Sequence, residues 1–397
     1  MRIPLGDIFL TGALLGSLAV SVPGPASCQE RAANRPSDRV EMLLEELTNA
    51  PGVSGQEAEV RKIVLRELRA AGAEVSTDGL GSAIGVLRGP AEGPRIMLAA
   101  HMDELGLMVK YITADGFVKF LPIGGWFDQA LVDKRWIIQT GKGPIIGVVG
   151  TSRLFTSRRP RIAAVSFPAS NSSWTWGRAA RPKPKPKPLG IRPGDPIIPD
   201  SRFARLGDGS YTAKAFDDRL GVAAMLEALR RLAAVKHPNT IVVVGTVQEE
   251  IGLRGAHTSS QAVKPDLGIC VEVGVAGDYP GVGPDQAQEQ LGGGPGLFLH
   301  DGSMLPNLKL RDFFFRVAAE KRIRLQPELV TGYGEDGAEM QRWSSGTPAV
   351  NFTVPVRYLH SFNGVIRRED FDKAVDLLVE VLLRLDAKAV AELKRFD

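Results

Sequence analysis

The sequence predicts an α/β fold in which a mainly parallel sheet is sandwiched by helices and interrupted by a small inserted β-barrel-like domain. Apolar runs at residues 95–100 and 241–247, the second of which is rich in Val and Ile, are typical of parallel strands buried on both faces. Segments with apolar residues at helical spacing alternate with these runs. From about residue 110 to 205 the chain changes to short strand patterns separated by glycines, which indicates a small all-β insert.

The first part of the chain predicts two helices followed by two strands. Apolar residues recur at helical spacing in Val40–Leu47 and Ala58–Ala71, with a Pro-Gly turn between them. Ala83–Leu87 and Arg95–Ala100 predict strands, and a His-Met-Asp-Glu motif follows the second one directly. This motif is the first candidate for chemistry.

His101 and Asp103 are two residues apart in this motif, so their side chains share one face of an extended chain. An imidazole beside a carboxylate is typical of a metal ligand, because the carboxylate fixes the tautomer and orientation of the ring. A histidine buried in the core is the alternative for a lone residue. The acidic residues after His101 favour a metal ligand.

Asp217 and Asp218 lie at the start of a predicted helix, KAFDDRLGVAAMLEALRRLA. Carboxylates at a helix N-terminus often serve as caps, which explains one aspartate more readily than two. The remainder of the helix carries an apolar stripe that predicts core packing. Its members are Val222, Met225, Leu226, Leu229 and Leu232.

Two adjacent carboxylates, Glu249 and Glu250, follow the buried strand pattern of residues 241–247. Catalytic groups collect at this edge of α/β sheets, and such a pair requires a cation, a base role or an ion pair. A solvated pair in a loop is the alternative. Glu272 lies inside the apolar strand pattern LGICVEVGV, where a charge is costly.

The C-terminal part predicts one more strand and a closing helix. The segment TPAVNFTVPVRYLHS predicts a strand that ends at His360 and Ser361, and Phe371–Leu385 predicts an amphipathic helix. Cys270 lies in an apolar run and is expected to be a small core residue.

Five motifs in this order resemble those of the tetrahedral (TET) aminopeptidase family: HMDELGLMV, KAFDDRLG, VQEEIGLRGA, GDYPG and VPVRYLHS. These dinuclear metallo-aminopeptidases include glutamyl and deblocking enzymes, and some carry the name endoglucanase. The resemblance covers about residues 40–150 and 189–390. It implies a zinc-peptidase-like fold, peptide substrates with a free N-terminus, and homo-oligomers from dimers to dodecamers.

The resemblance also implies a site for two divalent metal ions, which histidine and carboxylate ligands allow to be Zn, Co or Mn. Asp217 would bridge the ions, with His101 and Glu272 on one and Glu250 and His360 on the other. The family often has aspartate where this chain has Glu272, a difference that bears on geometry or metal preference.

Catalysis and support of the ligands are likewise assigned by the resemblance. Glu249 would act as the general base on the water between the metals, and Asp103 would orient His101. Asp218 or Asp278 would add further support. His237, His257 and His300 match no ligand motif and are expected to be surface or structural residues.

The predicted organisation is a catalytic domain in two parts, residues 40–109 and 206–390, with the β insert at 110–205 used for oligomerisation. Specificity is expected from the loops around Gly292–Met304 and Thr331–Met340. A related carboxypeptidase or deacylase, which needs a cationic group for the substrate carboxylate, and an inactive relative with a damaged insert are the alternatives. An endoglucanase would need paired carboxylates flanking a sugar cleft.

Thr151–Pro188 departs from the family pattern. It contains nine basic residues and no acidic ones. The whole chain has a formal charge of +4, and without this stretch the charge is 4 − 9 = −5. The basic excess is therefore local and does not predict a nucleic-acid-binding face. Shifted by two bases, the codons for Trp174–Gly177 spell an apolar-Asp-apolar-Gly strand like the one this family carries here. We interpret the stretch as a pair of compensating frameshifts, the alternative being a true basic proline-rich linker.

The N-terminus resembles a secretory signal at residues 1–28, with Arg2, an apolar Ile8–Val22 and small residues before Cys28. This predicts a periplasmic or secreted protein, with lipidation at Cys28 as a variant and a cytoplasmic protein if the start codon is overextended. No later segment is long and apolar enough to span a membrane. With two cysteines the chain has no disulfide framework.

Overall fold

The computed structural model describes residues 37–114, 116–150, 189–207 and 209–396, together with the backbone of residues 173–176. The predicted signal segment with Cys28, and most of the stretch 151–188, lie outside these residues. Export, lipidation and the frameshift therefore stay predictions. In the described ranges, no helix has both the length and the apolar character that crossing a bilayer requires.

The described helices pack around one large sheet, except for the short helix Asp128–Leu131, which contributes Leu131 to the core of a separate set of strands. They are α1 Arg39–Asn49, α2 Ala58–Ala70, α3 Asp128–Leu131, α4 Phe216–Leu232, α5 Arg254–Val263, α6 Leu308–Lys321, α7 Gly337–Gln341, α8 Arg368–Leu382 and α9 Ala387–Leu393.

The strands divide between that sheet, a six-stranded set and a three-stranded sheet. They are β1 Glu74–Thr77, β2 Ala83–Leu87, β3 Arg95–His101, β4 Gly106–Ile112, β5 Val118–Ile123, β6 Arg135–Thr140, β7 Gly143–Gly150, β8 Ser173–Trp176, β9 Pro196–Pro199, β10 Ala204–Arg205, β11 Ser210–Ala213, β12 Thr240–Thr246, β13 Leu267–Val275, β14 Gly296–His300, β15 Gln326–Leu329, β16 Ala349–Val356 and β17 Gly364–Arg367.

The large sheet has eight strands in the order β1-β2-β12-β3-β13-β16-β14-β15. Its centre is parallel, because β12 pairs with β3, β3 with β13 and β13 with β16 in parallel register. The pairs β1-β2, β2-β12 and β14-β16 are antiparallel. The carboxyl ends of the four central strands therefore meet at one edge of the sheet.

The β12 strand shows why the central strands are apolar throughout. Ile241 and Val243 belong to the core cluster that includes α1, α2, α4 and α8, whereas Val242 and Val244 belong to a cluster on the other side with residues of α5 and α7. Side chains alternate between the faces of a strand, so helices cover both faces here. The predicted mixed α/β fold with a large sheet between helices is confirmed.

Six further strands follow the order β4-β5-β8-β7-β6-β9 and close into a barrel. Their own apolar core includes Trp136, which is fully buried. Phe362, which comes from the chain after β16, also packs in this core, with its ring centroid 5.3 Å from that of Trp136. The barrel thus holds a loop that leaves the edge of the large sheet.

Candidate metal centre

The five residues predicted as metal ligands meet at the carboxyl edge of the parallel strands. His101 is the last residue of β3, Glu272 lies in β13, and Glu250 follows β12. Asp217 lies at the start of α4, where its backbone angles (φ −81°, ψ 105°) are not helical. His360 lies in the loop after β16.

These residues form two trios that share Asp217. In the first, His101, Asp217 and Glu272 each place a ligand atom within 4.8 Å of the others. In the second, Asp217, Glu250 and His360 do the same. His101 Nε2 is 2.9 Å from Asp217 Oδ1, and His360 Nε2 is 3.3 Å from Asp217 Oδ2, so the two carboxylate oxygens of Asp217 face opposite trios.

Both histidines point Nε2 toward Asp217 and have Nδ1 beside a backbone carbonyl oxygen. The Nδ1 atom of His101 is 3.0 Å from the Asp103 carbonyl oxygen, and that of His360 is 2.9 Å from the Gly125 carbonyl oxygen. A carbonyl oxygen only accepts, so each Nδ1 carries the proton and each Nε2 keeps its lone pair. Gly125 belongs to the segment between β5 and α3, so the barrel side of the chain helps to orient His360.

Two carboxylate oxygens in the trios are buried and accept no hydrogen bond within the described residues: Glu250 Oε1 and Glu272 Oε2, the second of which is 3.9 Å from His101 Nε2. Burial and the nearby Asp217 raise the pKa of Glu250 to about 8. Burial and Asp218 raise the pKa of Glu272 well above its usual range. Ionising these carboxylates is costly unless a cation lies next to them. The residues present therefore suit a site for divalent metal ions.

The pKa of His101 also indicates that the site favours positive charge. Burial alone lowers the pKa of its ring, but the carboxylates of Glu272, Asp103 and Asp217 raise it well above the usual value. The surrounding negative potential therefore outweighs the cost of burying a cation.

Glu249 lies beside the trios without belonging to either. Its Oε2 is 3.9 Å from His101 Nε2, and its residue is 8% exposed. Burial raises its pKa well above the usual range, although His101 opposes this, and the Glu335 and Glu250 carboxylates raise it further. A buried carboxylate with a raised proton affinity at this position suits a general base.

Asp103 connects the strands that carry the site. Its carboxylate accepts hydrogen bonds from Ser54 Oγ at 2.6 Å and from the backbone N–H groups of Glu249 at 3.0 Å and Glu250 at 3.2 Å. Burial raises its pKa, but the hydrogen bonds from His101 and Ser54 outweigh this and lower it overall. Asp103 thus orients the Glu249-Glu250 turn as well as His101, to which it presents its carbonyl at 3.0 Å and its carboxylate at 3.5 Å.

The two residues expected to give further support differ in position. Asp218 is buried and accepts from the backbone N–H groups of His101 at 3.1 Å and Gly221 at 2.9 Å. It therefore supports β3 at the ligand. Asp278 instead forms an ion pair with Arg357, with contacts of 2.7 and 2.6 Å.

The remaining histidines make local contacts. His237 Nδ1 is 2.7 Å from the Asn239 carbonyl, His257 pairs with Glu339, and His300 Nδ1 is 3.3 Å from the Met304 carbonyl. In the described part of the chain, none of the three belongs to a ligand trio.

The predicted strand ending at His360 is wrong at its C-terminal end. The strand β16 ends at Val356, and His360 follows it in a loop with a positive φ of 52°. The backbone turns back here so that Arg357 pairs with Val365. The apolar run predicts the strand correctly, but the return of the chain depends on contacts with the barrel that are distant in sequence.

The sequence analysis did not predict that Glu335 and Asp336, in the loop before α7, are buried carboxylates close to the candidate site. The pKa of Glu335 is raised to about 8 by burial and then by Asp217, and that of Asp336 to about 6 by burial. Two adjacent carboxylates beside glycines were the available signal, of the same kind as Glu249-Glu250. Only the loop containing them, Thr331–Met340, was predicted to bear on specificity.

A pair of His–carboxylate trios with a nearby glutamate, set at the edge of a parallel α/β sheet, defines a metallopeptidase. The model of the family described as M42 glutamyl aminopeptidase matches residues 81–377. The chain therefore belongs to the M42 family and is a metallo-aminopeptidase, a hydrolase of peptide bonds.

Individual relatives agree over most of their length. FrvX of Escherichia coli (strain K12), which is named as an aminopeptidase, is 36% identical over 358 residues, 89% of this chain and 98% of that protein. The TET aminopeptidase of the marine sediment archaeon Thaumarchaeota archaeon SCGC AB-539-E09 has a TM-score of 0.85 at 36% identity, covering 90% of this chain and 99% of that one. The TET1 peptidase of Pyrococcus horikoshii, described as assembling into a tetrahedron or a large octahedral shell, has a TM-score of 0.76 at 27% identity, with 87% and 100% coverage.

Proposed function

We propose that the chain removes N-terminal residues from peptides with the help of two divalent metal ions, Zn, Co or Mn, which the two trios that share Asp217 would hold. The observation that carries this proposal is that two trios share Asp217 while Glu249 stands next to them as a member of neither. Histidine and carboxylate donors suit all three metals. His101 and Glu272 would hold one ion, and Glu250 and His360 the other.

The residues of this chain divide the chemistry among them. When bound, the ions supply Lewis acidity toward the scissile carbonyl and lower the pKa of the attacking water. Glu249 accepts the proton of that water and returns it to the leaving amine, so one carboxylate acts first as base and then as acid. Asp103 keeps Glu249 in place through the backbone N–H bond at 3.0 Å and keeps the His101 ring aligned.

The charge around the site favours an aminopeptidase over the related carboxypeptidase or deacylase. A carboxypeptidase needs a cation for the substrate carboxylate, whereas the buried charged side chains around Glu249, apart from His101, are the carboxylates of Glu250, Glu335 and Asp336. A free α-amine is attracted to such a site. This acidity supports cleavage after the first residue only.

The test is hydrolysis of a panel of aminoacyl-p-nitroanilides by the chain stripped of metal and then given Zn, Co or Mn. We expect activity to return with at least one metal and to be absent with N-acetylated substrates. Equal cleavage of acetylated substrates would contradict the aminopeptidase mechanism. Inactivity with every metal would favour the alternative of an inactive relative.

We also propose that residues 110–205 form an inserted β domain through which the chain self-associates, from a dimer up to a dodecamer. Exposed apolar side chains on the barrel support this, among them Leu121 at 46%, Phe127 at 61% and Ile146 at 55% exposure. We expect light scattering to give a mass of at least two chains and Ile146→Lys to lower it. A wild-type mass of one chain would contradict this proposal.

A further inference from the structure

The loop before α7 holds an isolated carboxylate. Glu335 is only 8% exposed, and within the described ranges its side chain makes no hydrogen bond or ion pair. Its neighbour Asp336 is better supported, because its Oδ2 accepts from Thr246 Oγ1 at 2.5 Å. The Glu335 oxygens are not among the fully buried oxygens that lack a hydrogen bond. The carboxylate therefore stays accessible at an otherwise buried position, where a cation that arrives from outside can pair with it.

The position of Glu335 is set by contacts on both sides. Thr246 is the last residue of β12, so its bond to Asp336 places Glu335 at the same sheet edge as the metal ligands. The Tyr333 backbone N–H donates to the Asp301 carbonyl at 3.0 Å, which fixes the preceding turn against the loop after β14. Glu335 is therefore held at the centre by backbone and side-chain contacts of its neighbours.

Most of the charged side chains that act on Glu335 are carboxylates. Beyond burial, the strongest influences on it are Asp217, Asp301, His101 and Asp336, of which three are carboxylates. Asp301 is already satisfied, since it accepts from Ser303, from the Met304 N–H and from Asn351. Glu335 remains the carboxylate of this group without a donor.

A partly exposed aromatic residue, Tyr333, lies two residues before this carboxylate. Tyr333 is 38% exposed, and its pKa is raised by burial and then by Glu335 and Glu328. An aromatic face beside a carboxylate suits a cationic side chain with an apolar stem, because the ring contacts the stem or the cation while the carboxylate receives the charge.

We propose that Glu335 is a specificity-determining residue that binds the cationic side chain of the substrate's first residue, lysine or arginine. This rests on the proposed aminopeptidase function and adds the class of side chain that the site selects. The α-amine is two bonds from the scissile carbonyl and must lie at the metal ligands, whereas Glu335 belongs to neither trio. The substrate extends beyond them through the side chain of its first residue and through the peptide after the scissile bond. Of these two, the side chain branches from the carbon that bears the α-amine, and we assign it to Glu335.

The experiment compares the metal-loaded wild type with Glu335→Gln, which keeps the shape and removes the charge. Glu339→Gln is the matched control, because Glu339 lies on α7 and pairs with Arg342 and His257. Lysyl and norleucyl p-nitroanilides differ chiefly in the ε-ammonium. We expect Glu335→Gln to lower the lysyl-to-norleucyl ratio of kcat/KM about ten- to a hundredfold, and the control to leave it unchanged.

Calorimetric binding of lysine amide and norleucine amide by the same proteins separates this proposal from the function on which it rests. The wild type could hydrolyse neither substrate and still bind lysine amide more tightly than norleucine amide, with the difference lost in Glu335→Gln. That result would refute the aminopeptidase function and retain the proposed selectivity of Glu335. An unchanged ratio in Glu335→Gln would overturn the proposal. So would an equal loss for both substrates, because the carboxylate would then serve the α-amine.

Discussion

Glu249 lies outside both trios, so the proposed base can be removed without removing a ligand. Glu249→Gln keeps the backbone bond to Asp103 but has no carboxylate to accept a proton. We expect it to bind the same amount of metal as the wild type and to lose about 10²- to 10⁴-fold in kcat. Metal content by atomic emission and turnover on an aminoacyl-p-nitroanilide measure both quantities. Near-normal turnover would remove Glu249 from the role of base.

Asp103 acts on the ligands without belonging to a trio. Asp103→Asn replaces one acceptor oxygen by an NH₂ group. The side chain can then no longer accept all three hydrogen bonds from Ser54 Oγ and the backbone N–H groups of Glu249 and Glu250. We expect metal affinity to fall about 10- to 100-fold, as measured with a competing chelator. Ser54→Ala removes only one of these donors and should have a smaller effect. Unchanged affinity in Asp103→Asn would limit Asp103 to a structural contact.

The start of α4 is tied to the turn after β3 by a buried ion pair. Lys214 Nζ is 2.8 and 2.7 Å from the two carboxylate oxygens of Glu104, and both residues are 2% exposed. Lys214→Met removes the nearer of the two cations beside Glu104 and leaves only Arg219, at 3.8 Å. We expect the free energy of unfolding to fall by about 3 kcal/mol in denaturant titrations. Arg88→Met, which breaks an exposed pair with Glu74, should change it little. Equal effects in the two variants would contradict this reasoning.

The elements themselves were largely predictable from periodicity. The β2 strand has the predicted bounds, α2 differs by one residue from Ala58–Ala71, and β12 is buried on both faces as its Val and Ile content predicts. The geometry that brings the five ligand candidates together was implied by family resemblance and did not follow from periodicity. The loop at His360 and the isolation of Glu335 were not predictable, because both depend on contacts between segments far apart in the chain.

The edge of the large sheet holds a second buried carboxylate with pH-dependent consequences. Glu328 in β15 is fully buried, and its carboxylate accepts hydrogen bonds from the backbone N–H groups of Gln288 and Glu289, both at 2.8 Å. Burial raises its pKa to about 7. The folded chain thus keeps a proton that the unfolded chain loses near pH 4.5. This contribution is complete below pH 4.5 and is lost as the pH rises to about 7.

Glu328→Gln should remove that pH dependence. Between pH 4.5 and 7, we expect the stability of the wild type relative to this variant to fall by about 1–3 kcal/mol. Urea unfolding of both proteins at a series of pH values, with chelator present throughout, measures the difference. A constant difference across this range would mean that Glu328 titrates alike in the folded and unfolded chains.

At the scale of the whole molecule, the ligand candidates join five segments that are distant in sequence. They come from β3, the start of α4, the turn after β12, β13 and the loop that the barrel holds after β16. The unfolded chain does not keep these groups together, so metal binding selects the folded state. Metal bound at the proposed centre would therefore cross-link the sheet and the loop that contacts the barrel.

Removal of metal should consequently lower the stability of the entire chain. At a free metal concentration 100 times the dissociation constant, each site adds about 2.7 kcal/mol to the free energy of unfolding. We expect a chelator to lower the unfolding temperature and His360→Ala, which breaks one trio, to lose part of the stabilisation that metal restores. The His237 ring contacts only the Asn239 carbonyl among the hydrogen bonds described, so His237→Ala should keep all of the stabilisation by metal. Identical unfolding curves with and without metal, in a protein shown to bind it, would mean that the ligands do not join these segments.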